Sequence, residues 1–105
     1  MITPLRGANA LLTGGSQGLG ALTARALAQA GVNLALTARS ADKLQAVAEE
    51  AKRFGVQAVA IPADVTVAAD RERLVREAEA ALGQIDILIN NAGLEPIGRF
   101  VSRTD

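Results

Sequence analysis

The sequence contains no cysteine, histidine, tyrosine or tryptophan, and two phenylalanines are its only aromatic residues. The chain therefore has no thiolate nucleophile, no imidazole base, no phenolic acid and no Cys/His metal ligands, so a Ser-His-Asp triad is excluded and no metal site is expected. Without cysteine there is no disulfide framework and no sign of an oxidising compartment. A cytoplasmic location is therefore the default expectation.

Long hydrophobic runs and an excess of one charge are also missing. Eleven basic residues balance eleven acidic ones, which removes the broad positive surface expected of a nucleic-acid-binding protein. The uncharged, apolar-leaning stretch 26–38 is interrupted by polar residues and is too short to span a bilayer. The first seven residues lack the basic and apolar regions of a signal peptide. With 105 residues, the chain is expected to form at most one domain.

Short apolar runs alternate along the chain with segments whose apolar residues recur at helical spacing. Four runs have the length and the continuous apolar character of buried parallel strands: 8–13, 32–37, 57–61 and 85–90. Three apolar stripes lie between them: Leu19, Leu22, Ala26, Leu27 and Ala30; Leu44, Val47, Ala48, Ala51 and Phe54; and Leu74, Val75, Ala78, Ala81 and Leu82. The pattern predicts four strands and three intervening helices.

Glycines follow the three stripes at positions 31, 55 and 83, where left-handed residues that end helices belong. Ser40 and Thr66 stand where the second and third helices need N-caps. The resulting βαβαβαβ order, with right-handed crossovers, predicts an α/β fold with helices on both faces of a parallel sheet. In the doubly wound, Rossmann-type arrangement, the strand order is 3-2-1-4.

A glycine-rich turn joins the first strand to the first helix, with a Gly-x-x-x-Gly-x-Gly spacing. Glycine here lets the backbone approach a pyrophosphate, and the amides and positive dipole of the helix start favour the anion. The alternative is an ordinary turn that uses glycine for positive φ. The residues expected to bind a cofactor here are Gly14, Ser16, Gln17, Gly18, Leu19 and Gly20.

The spacing Thr-Gly-x-x-x-Gly-x-Gly resembles that of the classical short-chain dehydrogenases/reductases. Asn-Asn-Ala-Gly at 90–93 and the pair Asp64-Val65 match two further motifs of that family, in the same order along the chain. The resemblance implies that Asn90, with Ala92 and Gly93 of its motif, lies at the ribose region of the cofactor. It also implies that Asp64 and Val65 receive the adenine ring. Alternatively, Asn91 and Gly93 only form a turn, and Asp64 only begins an Asx turn before the third helix.

The end of the second strand bears on which nicotinamide cofactor is preferred. An NAD site usually has an acidic residue there, about 20 residues after the glycines, but this chain has Arg39 and Ser40. A guanidinium and a hydroxyl suit a phosphate, and no nearby carboxylate is expected to repel it. The segment resembles that of NADP-preferring family members, although Gln17 stands where many of them have a basic residue. The alternative is that Arg39 is a surface residue paired with Asp42.

The family resemblance implies hydride transfer between NADP(H) and a carbonyl or alcohol substrate, carried out with a Ser, a Tyr and a Lys in Tyr-x-x-x-Lys. The chain has no tyrosine, and both of its lysines lie on the predicted second helix, so no catalytic residue is assigned and the chain alone is expected to be inactive. We interpret residues 1–105 as the N-terminal cofactor-binding part of a reductase, in which 94–103 is a loop and a new helix starts near Ser102.

Two alternatives remain open from the sequence: a stand-alone dinucleotide-binding module, and a structural half-domain without catalysis. In either case the fourth strand is expected to lie at an uncovered sheet edge with apolar side chains on both faces. We therefore expect that edge to favour self-association.

Overall fold

The computed structural model describes residues 5–14, 18–90, 93–94 and 97–102. The strands in chain order are β1 (Asn9–Thr13), β2 (Asn33–Thr37), β3 (Ala58–Ala60), β4 (Ile87–Asn90) and β5 (Gly93–Leu94). The helices are α1 (Leu19–Gln29), α2 (Ala41–Lys52), α3 (Ala68–Leu82) and α4 (Ile97–Ser102). None of the helices in these described ranges is long and apolar enough to cross a membrane.

The sheet has the strand order β3-β2-β1-β4-β5, and its first four strands are parallel. The predicted doubly wound order 3-2-1-4 is thus confirmed. β1 pairs with β2 from Asn9 opposite Asn33 to Thr13 opposite Thr37, and with β4 on its other side. The strand order reverses at β1, and the crevice at such a switch point, outside the carboxyl ends of the strands, is where ligands bind in open α/β sheets.

The segment after β4 differs from the prediction of a loop over 94–103. β5 folds back antiparallel to β4, with Ile89 opposite Leu94 and Asn90 opposite Gly93, so the sheet has a fifth strand. The prediction that the fourth strand is the uncovered edge of the sheet is therefore wrong, because β5 pairs with the end of β4. α4 then begins at Ile97, before the predicted start near Ser102. The six-residue α4 is too short to show a full amphipathic stripe, and the sequence therefore gives little sign of it.

Two apolar cores lie on opposite faces of the sheet, because successive strand residues point to opposite sides. Leu12 and Leu36 pack with α1 and α2 on one face. Leu11 and Leu88 pack with α3 and with Phe100 of α4 on the other. The prediction of helices on both faces is confirmed, and the buried faces of α2 and α3 contain most of the predicted stripes.

The predicted buried face of α1 is wrong in part: Leu27 and Ala30 are half-buried against the core, but the other members of the stripe are not. Leu19 and Leu22 are exposed, and the helix buries its small residues instead: Gly20, Ala21, Ala24 and Ala28. Small side chains on this face permit close packing of the helix on the sheet. Two smaller corrections concern Phe54, which follows the end of α2 and is exposed, and Ala81, which is also exposed. Arg71, for which the sequence made no prediction, is buried on α3 although it is charged.

The predicted helix ends are largely confirmed. Gly31, Gly55 and Gly83 all have φ between 87° and 97°, the left-handed region in which glycine avoids the strain of a side chain. Ser40 is the N-cap of α2, but its side chain makes no capping hydrogen bond. The N-cap of α3 is Val67, one residue after the predicted Thr66, because the Thr66 hydroxyl donates to Asp64 instead.

A hydrogen-bond network of two asparagines joins the amino ends of the strands. Asn9 Nδ2 donates to the carbonyls of Leu82 (3.0 Å) and Gln84 (2.9 Å), and Asn9 Oδ1 accepts from Asn33 Nδ2 (3.1 Å). Asn33 Oδ1 in turn accepts from the amide of Gln57 (3.0 Å). The network thereby connects the end of α3 to β1, β2 and the start of β3.

We predict that Asn9→Ala lowers the free energy of unfolding by about 1–3 kcal/mol, because it leaves two carbonyls and the Asn33 amide without their partner. Urea unfolding followed by circular dichroism measures the change. The control is Gln45→Ala, which removes only an exposed hydrogen bond to Glu49 within α2. A loss for Asn9→Ala no larger than for the control would contradict a stabilising role for the network.

Candidate functional site

A cleft with a volume of about 340 Å³ lies at the carboxyl ends of β1, β2 and β3. Three segments that are far apart in sequence meet there because parallel strands end at the same edge of the sheet. The cleft is lined by Gly14, Thr37, Ala38, Arg39, Ser40, Ala63, Asp64, Val65 and Thr66. Its volume lies within the range of about 300–1,000 Å³ that is typical of small-molecule sites.

The glycine-rich turn contributes one side of this edge. Gly14 has φ 69°, and its amide donates to the Thr37 carbonyl at 2.8 Å, which fixes the end of β1 against β2. Gly18 is the N-cap of α1, with φ 61°, and a Cβ placed there would meet no atom within 4 Å. The glycine is therefore required by its backbone conformation, and the space beside it is open.

The start of α1 has no side-chain cap and no acidic residue in its first turn. The first amides of a helix lack partners within the helix, so they are available to an anion and the helix dipole favours one. This arrangement suits the pyrophosphate binding that the sequence predicts for the turn.

Arg39 lies at the carboxyl end of β2 and forms an ion pair across the cleft. Its Nη2 is 3.2 Å from Asp64 Oδ1, and the Arg39 side chain is 75% exposed. The alternative pairing with Asp42 is therefore not the one formed. The expectation that no carboxylate lies near Arg39 is also wrong, because strand pairing brings the end of β3 beside the end of β2.

Asp64 is held by its own loop as well as by Arg39. Asp64 Oδ1 accepts from the Thr66 hydroxyl (2.6 Å) and the Thr66 amide (3.0 Å), which form the Asx turn considered as an alternative from the sequence. The Thr66 hydroxyl first, then the Thr66 amide and the Arg39 guanidinium, hold the pKa of Asp64 below its usual range. A negatively charged oxygen is therefore fixed on this wall of the cleft.

Thr37 supplies a buried hydroxyl at the floor of the cleft. The residue is 0% exposed, and its Oγ1 has no hydrogen-bond partner in the described part of the chain. A buried polar group without a partner costs free energy, so its persistence needs an explanation. Thr37 is also one of the residues that line the cleft.

The other predicted site residues that the structure describes lie at the same edge of the sheet, but they do not all line this cleft. Ser40 and Val65 line it, whereas Gly18, Leu19 and Gly20 lie at the start of α1, and Asn90 of β4 pairs with Gly93 of β5. Ser16, Gln17 and Ala92 lie outside the described residues.

Four lining residues were not predicted: Thr37, Ala38, Ala63 and Thr66. Three of them are next in sequence to a predicted residue. Including the immediate neighbours of each predicted residue would therefore have found these three. Nothing in the sequence indicates that the Thr37 hydroxyl lacks a hydrogen-bond partner in the described part of the chain. Within the described ranges, no group of three acidic residues is arranged to hold a metal ion.

We predict that Thr66→Val raises the pKa of Asp64, because it removes the hydroxyl hydrogen bond that most strongly favours the carboxylate. A lowered folded-state pKa stabilises the fold above the unfolded pKa, and this contribution is lost as the pH falls through the folded-state value. The stability difference between wild type and variant should therefore shrink on acidification.

The pKa is measured by NMR titration of the Asp64 carboxyl carbon. Thr23→Val is the matched control, because the Thr23 hydroxyl also makes one hydrogen bond, to the Leu19 carbonyl within α1. An unchanged Asp64 pKa in Thr66→Val would show that the hydroxyl does not set it.

We predict that Thr37→Val raises the free energy of unfolding by about 1 kcal/mol, since valine fills the same space without a buried unpartnered hydroxyl. Thermal and urea unfolding measure the change, and Thr37→Ser, which keeps the hydroxyl, is the control. A loss of stability in Thr37→Val would mean that the hydroxyl has a partner in the folded chain.

Comparison with known proteins agrees with this geometry. The family model described as short chain dehydrogenase matches residues 8–105. Ketoacyl reductase HetN of a Nostoc species is 42% identical over 101 residues, which are 96% of this chain and 35% of that protein. The 3-oxoacyl-[acyl-carrier-protein] reductase FabG of Staphylococcus epidermidis is 41% identical over 87 residues, 82% of this chain and 36% of that protein.

Solved structures show the same likeness. A short-chain dehydrogenase/reductase from Serratia marcescens superposes with a TM-score of 0.78 and 42% identity, covering 85% of this chain and 37% of that one. A hydroxysteroid dehydrogenase from Escherichia coli superposes with a TM-score of 0.80 and 36% identity, covering 85% and 36%. The chain spans about one third of the length of the curated relatives it matches. With the parallel sheet, the glycine turn and this match over most of its length, the chain belongs to the short-chain dehydrogenase family.

Proposed function

We propose that residues 1–105 are the dinucleotide-binding part of an NADP-dependent oxidoreductase. The observation that carries the proposal is the cleft, where Gly14, Arg39, Asp64 and Val65 meet although they come from three different strand ends. All four were expected at a cofactor site from the sequence. Family membership adds the expectation of a nicotinamide dinucleotide as the ligand.

Two features of this chain support the fit of such a cofactor. The Thr37 hydroxyl lies beside the cleft, is buried and has no partner in the described part of the chain, so an oxygen of the ligand or a bridging water would satisfy it if binding opens the cleft to it. The uncapped start of α1 offers amides to the pyrophosphate. Arg39 and Ser40 would hold the adenosine ribose, and Asp64 and Val65 would border the adenine.

Preference for NADP(H) over NAD(H) follows from the guanidinium of Arg39. Asp64 contacts Arg39 through Nη2, and a guanidinium has five N–H donors. The donors on Nε and Nη1 make no hydrogen bond within the described part of the chain and suit a 2′-phosphate. The Asp64 carboxylate neutralises part of this charge, and the side chain is largely exposed. Both effects weaken the attraction, so we expect the ratio of the affinities for NADPH and NADH to lie at the lower end of the range that one charge-assisted hydrogen bond produces.

The reaction proposed for the whole protein is hydride transfer between the cofactor and a carbonyl or alcohol group of a small molecule. The nicotinamide supplies or accepts the hydride when the cofactor is bound. Two relatives whose names describe reductases of keto groups support this substrate class. Because these 105 residues contain no tyrosine, we assign them cofactor binding and no catalytic residue. A cytoplasmic location and self-association through the sheet edge stay predictions.

We predict that the chain binds NADPH more tightly than NADH and that Arg39→Asp reverses this preference. The wild-type preference should be about tenfold, the lower end of the range for one charge-assisted hydrogen bond. The aspartate would repel the 2′-phosphate and accept a hydrogen bond from the ribose hydroxyl of NADH. Calorimetric titration of both proteins with both nucleotides tests the prediction.

The matched control is Arg53→Asp, which makes the same charge change at the opposite end of α2. It should leave the preference as in the wild type. Equal affinity of the wild type for the two nucleotides would remove the NADP assignment while leaving nucleotide binding intact. No binding of either nucleotide would overturn the proposed function itself.

A further inference from the structure

Residues 62–65 form one wall of the cleft, and three side chains of α3 hold this wall by hydrogen bonds to its main chain. Arg73 Nη2 donates to the Pro62 carbonyl at 2.9 Å, and Asp70 Oδ2 accepts from the Asp64 amide at 2.9 Å. Arg71 Nη1 donates to the Val65 carbonyl at 2.8 Å. α3 therefore determines where the adenine-side wall of the cleft lies.

Arg71 differs from the other two residues because it also contacts α4. Its Nε donates to the Phe100 carbonyl at 2.9 Å, and Arg71 is only 5% exposed. One planar guanidinium thus joins main-chain carbonyls of two segments, Val65 in the cleft wall and Phe100 in α4. The Phe100 side chain is itself buried in the core on the same face of the sheet.

The geometry of the guanidinium makes these two contacts dependent on each other. Its nitrogens lie in one rigid plane, so a shift of either carbonyl must rotate the group or break the other hydrogen bond. Arg71 is also buried, and an alternative position that leaves donors unpaired would be costly. The wall and α4 are therefore expected to be ordered together rather than separately.

We propose that Arg71 is a positioning residue that couples α4 to the cleft wall formed by residues 62–65. The wall adopts the conformation that binds a ligand only when α4 is packed against the core. The coupling itself does not depend on what binds in the cleft. Its consequence for nucleotide affinity rests on the proposed function. Through Arg71, the position of α4, which follows β5, affects the position of the cleft wall after β3.

The test is amide hydrogen exchange of the 105-residue chain, read at residues 64–67 and 98–102. In Arg71→Met, exchange should accelerate by roughly tenfold to a hundredfold in both segments, the range for losing one hydrogen bond to a charged group. Arg73→Met is the matched control, because it removes a hydrogen bond to the same wall without contacting α4. It should accelerate exchange near the wall only, and Arg71→Lys should restore part of the protection in both segments.

Native-state exchange of the wild type at increasing urea gives a second measurement, needed if Arg71→Met does not fold. Coupled segments open in one cooperative event, so both sets of amides should follow the same dependence of exchange on urea. Separate dependences for the two segments would overturn the proposal. Acceleration confined to one segment in Arg71→Met would overturn it as well.

Adding adenosine 2′,5′-bisphosphate separates this proposal from the proposed function. In the wild type the probe should slow exchange in both segments, and in Arg71→Met it should slow exchange only at 64–67. Protection confined to 64–67 in the wild type would overturn the coupling. If the wild type does not bind the probe, the nucleotide assignment fails, and the unliganded exchange data still decide the role of Arg71.

Discussion

The parallel pairing of β1 with β2 and β4 is the constraint on which the site depends. It puts Thr13 opposite Thr37 and brings the ends of β1, β2 and β3 to one edge of the sheet. Only there can a glycine turn, an arginine and an aspartate from distant parts of the sequence border a single cleft. At the other end of the strands, the hydrogen bonds of Asn9 and Asn33 hold the same register. The amino edge of the sheet therefore stabilises the fold, and the carboxyl edge is the one that we propose binds a ligand.

Two opposite charges, those of Arg39 and Asp64, lie at the cleft and have opposite effects on an anionic ligand. The Thr66 turn keeps Asp64 ionised, and the ionised carboxylate then draws Arg39 across the cleft. This pairing orients the guanidinium before a ligand arrives, which reduces the ordering cost of binding. It also puts a negative charge near the phosphate that Arg39 is proposed to bind. The same aspartate thus positions the arginine that we propose to select NADP(H) and weakens its attraction for an anion.

Much of the fold and of the site could be predicted because both depend on patterns local in sequence. Continuous apolar runs gave β1 to β4, and glycines 31, 55 and 83 marked the helix ends with the expected positive φ. Motifs at strand ends led to Arg39 and Asp64. Their mutual ion pair could not be read from the sequence, because it depends on the register of β2 with β3.

The errors also have physical causes. In α1, leucines at helical spacing suggested a buried stripe, but close packing on the sheet selects Gly20 and the alanines instead. α4 was predicted to start near Ser102 rather than at Ile97, because six residues are too few for a clear periodic signal. The burial of Arg71 was not predicted, because a charged residue on a helix is expected to be solvated. Its burial depends on the Val65 and Phe100 carbonyls, which only the tertiary fold brings within reach.

We propose that the carboxyl edge of β1, β2 and β3 binds the adenosine end of a nicotinamide dinucleotide. NMR chemical-shift mapping of the isotope-labelled chain during titration with NADPH tests it most directly. We expect saturable shifts at Gly14, at Arg39 and Ser40, and at 64–66, with residues at the opposite edge, such as Asn9 and Gln57, unchanged. Saturable shifts centred away from the cleft, or no saturable shifts at all, would contradict the account.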